Sequence, residues 1–430
     1  MNKKEFIHQL KSVKLVLGNG FDLHCDLRTS FKHYYIYNYE RIDIIKKWYE
    51  EFDRYFKKKQ VPLVDTSQNV ELFNNTSLWD FFFVILCIER NNSDFEGYLW
   101  CQVEEDIANA LKDVKHAKNE AELIDSVSTQ LSTPINLDFV YEEMTAVSKS
   151  YDSPVCAFAH VVDHKSNHSI YSKEDFYSFL LNELKLFENE FVKFLKWQLA
   201  ETIYHSFGIV TPNHTYFMKA VATINEICGF DNLVSIDSFN YTYIEDDRVK
   251  QIIHYINSDI ENPIFGVDSV FQTDDPKFIF TKTSRRMAND TVSKNVDNRE
   301  KYEHVIIYGH SLNEADYSYF FPIFDEIDLA NNKSTSKIVF AYSIFEESKR
   351  AERIKEINDS VFRIIEKYAV ERNMLFSNRF LDSLTTRGRV ILYEIPLIDE
   401  TKYEKSIFDD KWKRTLEDYK NKNNKSKYRG

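Results

Sequence analysis

The chain has 430 residues, 43% of them hydrophobic, enough to bury a substantial core in one large domain or two smaller ones. Acids outnumber bases 68 to 55, and the formal net charge of -13 opposes unspecific attraction to phosphate backbones or anionic lipid. The five cysteines, odd in number and without a C-x-x-C pair, argue against a disulfide framework and a zinc knuckle and fit a reducing cytoplasm.

The N-terminal "MNKKEFIHQLKSVKLVLGNG" has basic residues but no apolar core of signal-peptide length. Within "VKLVLGNGFDLHCDLRTSF" the run Val13–Leu17 is short, apolar and bounded by glycine, which predicts a buried strand. Two of only nine glycines in the chain then flank Asn19, so the strand turns sharply at Gly18-Asn19-Gly20. Such a turn has two readings. In a nucleotide-binding α/β fold it brings backbone amides against phosphate, and elsewhere it merely redirects the chain. Leu23 occupies the position of the third glycine of a G-x-G-x-x-G fingerprint, so the turn alone does not decide.

Apolar residues recur every three or four positions from Thr29 to about Lys58, which predicts a helix with Thr29 or Ser30 as N-cap. Helical patterns return in "SLWDFFFVILCIERN", "FEGYLWCQVEEDIANALKD" and "YSKEDFYSFLLNELKLFENEFVKFLKWQLAETIYHS". The stretch "DFFFVILCI" is too short to cross a bilayer. "HVVDHKSNH" spaces His160, His164 and His168 four apart, yet without a helical apolar stripe it predicts neither a helix nor a zinc face. Trp100 and Glu104 lie one helical turn apart.

Strand signals dominate the C-terminal half: "NLVSIDSFN", "VKQIIHYIN", "PIFGVDS", "KFIFTKT", "HVIIYGHS", "SKIVFAYS" and "RVILYEI". Their spacing predicts an α/β fold with a Rossmann-like, mostly parallel sheet, β1 at Val13–Leu17 and a large helical insertion over about residues 30–206. The body covers residues 1–400, and the basic, polar segment 401–430 reads as a flexible tail.

Polar residues gather where strands end, the place at which such sheets bind ligands. Asn240 closes "SIDSFN", His254 sits in "QIIHYIN", and Gly309, His310 and Ser311 follow Val305–Tyr308, with Asp316 shortly after. Each has an ordinary alternative, a turn cap for the asparagine or a satisfied structural residue for the histidine.

The motifs "LVLGNGFDLHCDLRTSF", "LWCQVEEDI", "SFNYT", "PIFGVD", "FTKTSRR" and "IIYGHSLNEAD" resemble, in order, those of the bacteriophage abortive infection AbiH family, from about Val13 to Tyr342. Arg28 stands where the family usually has proline, and Tyr255 where a glycine commonly follows the histidine. More remotely, the motif order is similar to sirtuin-like domains. These resemblances imply an anti-phage role and a sirtuin-like, Rossmann-like pocket for NAD or a related nucleotide. They imply a candidate NAD glycohydrolase, with Asn240 orienting ribose or water and His254 as general base, imidazole being the group that titrates near neutral pH. Gly18, Asn19 and Gly20 with Phe21 then cradle phosphate, Asp22 and Asp316 hold ribose hydroxyls, and Gly309, His310, Ser311 and Leu312 complete the pocket. Two other readings stand beside this one. The pocket serves as a non-catalytic nucleotide sensor, or Asp22, Asp237 and Asp316 bind Mg²⁺ in a nuclease. The first two readings expect no metal, no membrane and no nucleic acid. A phage trigger, a defence partner protein and a homo-oligomer are the expected partners, and Lys282, Arg285 and Arg286 offer a contact for phosphate or a solvated basic edge.

Overall fold

The computed structural model describes residues 3–58, 73–74, 76–92, 95, 100–112, 134–145, 152–200, 212–244, 246–256, 263–267, 271–288, 301–374 and 379–397. These fall into two compact units, one within 1–29, 195–263 and 289–414, the other within 30–194 and 264–288. The segment 401–430 and the side chain of Trp100 lie outside the described residues.

In the first unit six described strands form one sheet: β1 Val13–Leu17, β2 Leu233–Ser238, β3 Ile253–Tyr255, β4 His304–Tyr308, β5 Ile338–Tyr342 and β6 Val390–Glu394. All pairings among them are parallel, in the order β3-β2-β1-β4-β5-β6. The chain therefore builds outward from β1 to one edge, returns to the centre at β4 and builds to the other edge, which is the doubly wound arrangement with its switch point between β1 and β4.

Side-chain alternation separates two faces. Val16 is in register with Asp237 and Ile307, and Ile307 with Phe340. Val16, Ile307 and Phe340 pack against Phe320 and Phe324 of the helix Tyr317–Glu326, Ile364 and Tyr368 of Arg350–Glu371, and Leu384 of Phe380–Thr386. Each fully buried phenylalanine there contributes about 1.5–3 kcal/mol. The opposite face carries Leu15, Leu17 and Ile306, all buried. There the Tyr308 ring meets Phe21 and His24 of the short helix Asn19–His24, and Cys25 just beyond it approaches Thr223 of the helix Pro212–Cys228.

The second unit is helical in its described residues. The helix expected from Thr29 to Lys58 is two, Phe31–Tyr37 and Tyr39–Lys57, divided at Asn38, whose side-chain amide donates to the Tyr34 carbonyl at 3.2 Å. Ser30 caps the first by accepting from the His33 amide, while Thr29, in the first unit, donates to Asn19 Oδ1 at 2.6 Å. Three expectations are corrected. His160 and His164 lie in a helix, Ser153–Ser166, whose apolar stripe of Val155, Phe158 and Val162 begins upstream of the histidines. The "PIFGVDS" run forms no strand in its described part, where Val267 makes one isolated bridge to Thr281. "KFIFTKT" is the 3-10 turn Pro276–Phe280 followed by the helix Lys282–Ala288, started by Pro276 in the first turn and by Asp275, which accepts from the Lys277 amide. No described helix is long and apolar enough to cross a membrane.

Candidate functional site

The Gly18-Asn19-Gly20 turn meets the turn after β4 backbone to backbone. The Gly18 amide donates to the Tyr308 carbonyl at 2.9 Å and the Gly20 amide to the Gly309 carbonyl at 2.8 Å. A Cβ on Gly18 would lie 2.5 Å from His310 Cα, and one on Gly20 2.7 Å from Gly309 Cα. Gly309 itself has φ +68 and its Cβ would meet the Phe21 amide nitrogen at 2.5 Å. The glycines thus let one turn pack on another, and the amides of Gly18 and Gly20, expected to face phosphate, are taken up inside the protein.

Immediately beyond, Asp22 is the centre of a buried polar knot. It accepts from Tyr216 Oη at 3.0 Å, Asn240 Nδ2 at 3.0 Å and Thr242 Oγ1 at 2.7 Å. Burial pushes its carboxyl up to about 7 despite the three donors, from Thr242, Tyr216 and Asn240, that favour the ionised form. On the same sheet face His24 Nδ1 meets Ser343 Oγ at 3.1 Å and the Tyr308 hydroxyl. Burial, then the Lys219 charge, pushes this imidazole down to about 4, so it is neutral at physiological pH.

The other face carries a second cluster. Asp237 accepts from Lys14 Nζ at 2.5 Å and from the Tyr319 hydroxyl, and its Oδ1 lies 3.1 Å from His254 Nδ1. Burial alone would raise the Asp237 carboxyl, yet hydrogen bonds from His254, Lys14 and Tyr319 hold it below the usual carboxylate range. An ionised Asp237 fixes the tautomer: Nδ1 of His254 carries the proton toward it, and Nε2 is left as an acceptor on a ring about one-third exposed. Tyr255 Oη accepts from the Ile244 amide at 3.3 Å. His310 is edge-on to Phe239 and Phe320 on this face. Its Nδ1 accepts from the Leu312 amide at 2.9 Å, so the protonated Nε2 faces Asp316 Oδ2 at 3.5 Å.

At the carboxyl ends of β4 and β5 lies a cleft open to solvent. Gly20 and Gly309 to Leu312 line it, together with Phe340, Ser343 and Phe345 around the end of β5 and Arg353, Glu356, Ile357 and Ser360 of the helix Arg350–Glu371. The structure therefore gathers Gly20, Gly309, His310, Ser311 and Leu312 at one cleft. It joins Asn240 to Asp22 and His254 to Asp237, on opposite faces of the sheet, rather than Asn240 to His254. Phe21 packs beneath on Tyr308 and Asn19 is held by Thr29.

Other motif residues have partners within the second unit. Glu104 pairs with Lys282 at 2.9 Å, both buried, and Arg285 grips Glu188 through two bonds while also donating to the Phe265 carbonyl. Among the described residues no three His, Cys, Asp or Glu side chains cluster so as to hold a metal ion. Asp22, Asp237 and Asp316 are held by separate partners. Sequence reasoning passed over Thr242, although it stands in "SFNYT", and over Tyr216, Tyr319 and Arg353, helix residues with no local signal.

A doubly wound α/β unit with a cleft and buried polar clusters near the ends of its parallel strands belongs to the class of folds that bind small ligands at that rim. Over residues 15–342 the sequence matches the family model described as bacteriophage abortive infection AbiH. The chain belongs to that family, and its broad role is abortive infection in defence against phage. Neither a curated protein nor a solved structure matches the chain.

Proposed function

We propose that this abortive infection protein binds a nucleotide, NAD or a close relative, in the cleft at β4 and β5 and acts on infection through that binding. The observation that carries the reading is the convergence of Gly20 and Gly309–Leu312, from two turns far apart in the chain, on one cleft that also holds Arg353. Leu312, Phe340 and Ile357 give a base an apolar wall, and the Arg353 guanidinium suits a phosphate. Thermal unfolding of the purified protein with NAD, NADP, ATP and nucleic acid tests it. A nucleotide that binds only the folded state raises Tm with concentration, by about 2.7 kcal/mol of stability at a hundredfold excess over Kd. Flat Tm values for every nucleotide would remove the reading.

Hydrolysis of NAD is a second reading, favoured by the Asp237–His254 pair. An ionised carboxylate holding one ring nitrogen leaves the other to accept a proton. In that reaction the bond between ribose C1′ and the nicotinamide nitrogen breaks and its electron pair leaves with nicotinamide. Water oxygen bonds to C1′, and the proton it loses passes to His254 Nε2 and then to solvent. Asn240, bonded to Asp22 on the opposite face of the sheet, takes no part in this reading. Assays for nicotinamide release, with and without extract from phage-infected cells, decide between turnover and sensing. His254→Ala stops release but keeps nucleotide-dependent stabilisation. Metal-dependent degradation of RNA or DNA that survives His254→Ala would replace both readings with a nuclease.

A further inference from the structure

Resting on the nucleotide reading above, we infer that the cleft accepts one base–sugar–phosphate unit and that no second nucleotide lies across the switch point. In a doubly wound sheet a dinucleotide crosses the crevice between the strands where the order reverses, its diphosphate against the first turn. Here that crevice, between β1 and β4, is filled by the protein's own backbone. The Gly20 amide is bonded to the Gly309 carbonyl, and even a methyl group on Gly18 would strike His310 Cα. A diphosphate needs more room than a methyl group.

The remaining concavity belongs to the second half of the sheet. Its helix wall presents Arg353, Glu356, Ile357 and Ser360, spaced three, four and seven residues from the arginine and so on one stripe. Phe345, 47% exposed, stands at the cleft as an aromatic surface for a base. Arg353 is paired with Glu356 at 3.0 Å, so the carboxylate competes with a phosphate for the guanidinium. A larger ligand such as NAD seats one half in the cleft and extends the other into solvent.

Calorimetric titration of the full chain with AMP, nicotinamide mononucleotide, the two corresponding nucleosides and NAD tests the inference. At least one mononucleotide binds within tenfold of NAD, and its nucleoside, lacking phosphate, binds at least tenfold more weakly. Arg353→Ala weakens the mononucleotide at least tenfold, whereas Glu356→Gln, which frees the guanidinium, tightens it severalfold. Both positions are surface ones, and an unchanged circular dichroism spectrum confirms that the variants are folded. Saturable binding of NAD with no mononucleotide binding at the same concentrations would overturn the single-unit cleft while leaving the nucleotide reading in place, and so would weaker binding by Glu356→Gln. Absence of binding by every nucleotide would overturn both.

Discussion

Asp22 sits in surroundings that oppose its own charge. Its carboxyl is held at about 7 against an ordinary 3.8, so between those values the folded protein keeps a proton that the unfolded chain releases. Stability from this group is complete below pH 3.8, falls as pH rises toward 7 and is level above. The difference is on the order of 4 kcal/mol. Asp22→Asn keeps the shape and cannot ionise, so the Tm of wild type should fall relative to the variant as pH is raised from 4.5 to 8. Parallel Tm curves would show that Asp22 titrates normally. Asp22 and Asn240 were both legible as polar residues at strand ends. Their partnership was not, because Tyr216, which completes the knot, lies on a helix where a tyrosine looks like any core residue. His254 was legible as a residue, but its sheet face depends on register with Asp237, and register is set by pairing across distant segments.

At the level of elements, the two glycine turns act as an interlock between the first and fourth strands. Gly309→Ala adds both left-handed backbone strain and a collision with the Phe21 amide, and is expected to cost about 3 kcal/mol or more. Gly388→Ala is the control: its φ is +62 but nothing lies within 4 Å of the added Cβ, so about 1–2 kcal/mol is expected. Urea midpoints of the two variants measure the contrast, and equal losses would mean that the turns do not press on each other. The parallel strands were readable because each is a short apolar run closed by a polar or glycine residue. The same signal misled at "KFIFTKT", where Pro276 and the Asp275 cap favour a helical turn over extension. It misled in the opposite sense at His160, whose helix is announced by the apolar residues before it.

Across the whole chain, stability depends on charges brought together from remote segments. Glu104 and Lys282 form a buried pair within the helical unit, each side chain less than a tenth exposed. Removing one partner takes this ion pair from the other buried charge, so Glu104→Met and Lys282→Met should each be destabilising, by up to about 3–5 kcal/mol. The double variant should lose much less than their sum, and additive losses in chemical denaturation would show that the two groups act independently. Neither partner's role was visible in sequence, where Glu104 stood only one helical turn from Trp100 and Lys282 read as a phosphate contact or a solvated basic edge. In the α/β unit a comparable economy of connection exists without charge. Gly309 is at once a wall of the cleft and the acceptor that tethers Gly20, two residues before Asp22. A ligand lodged against that wall would press on the short helix bearing the buried acid, whose carboxylate is held by the side-chain amide of Asn240.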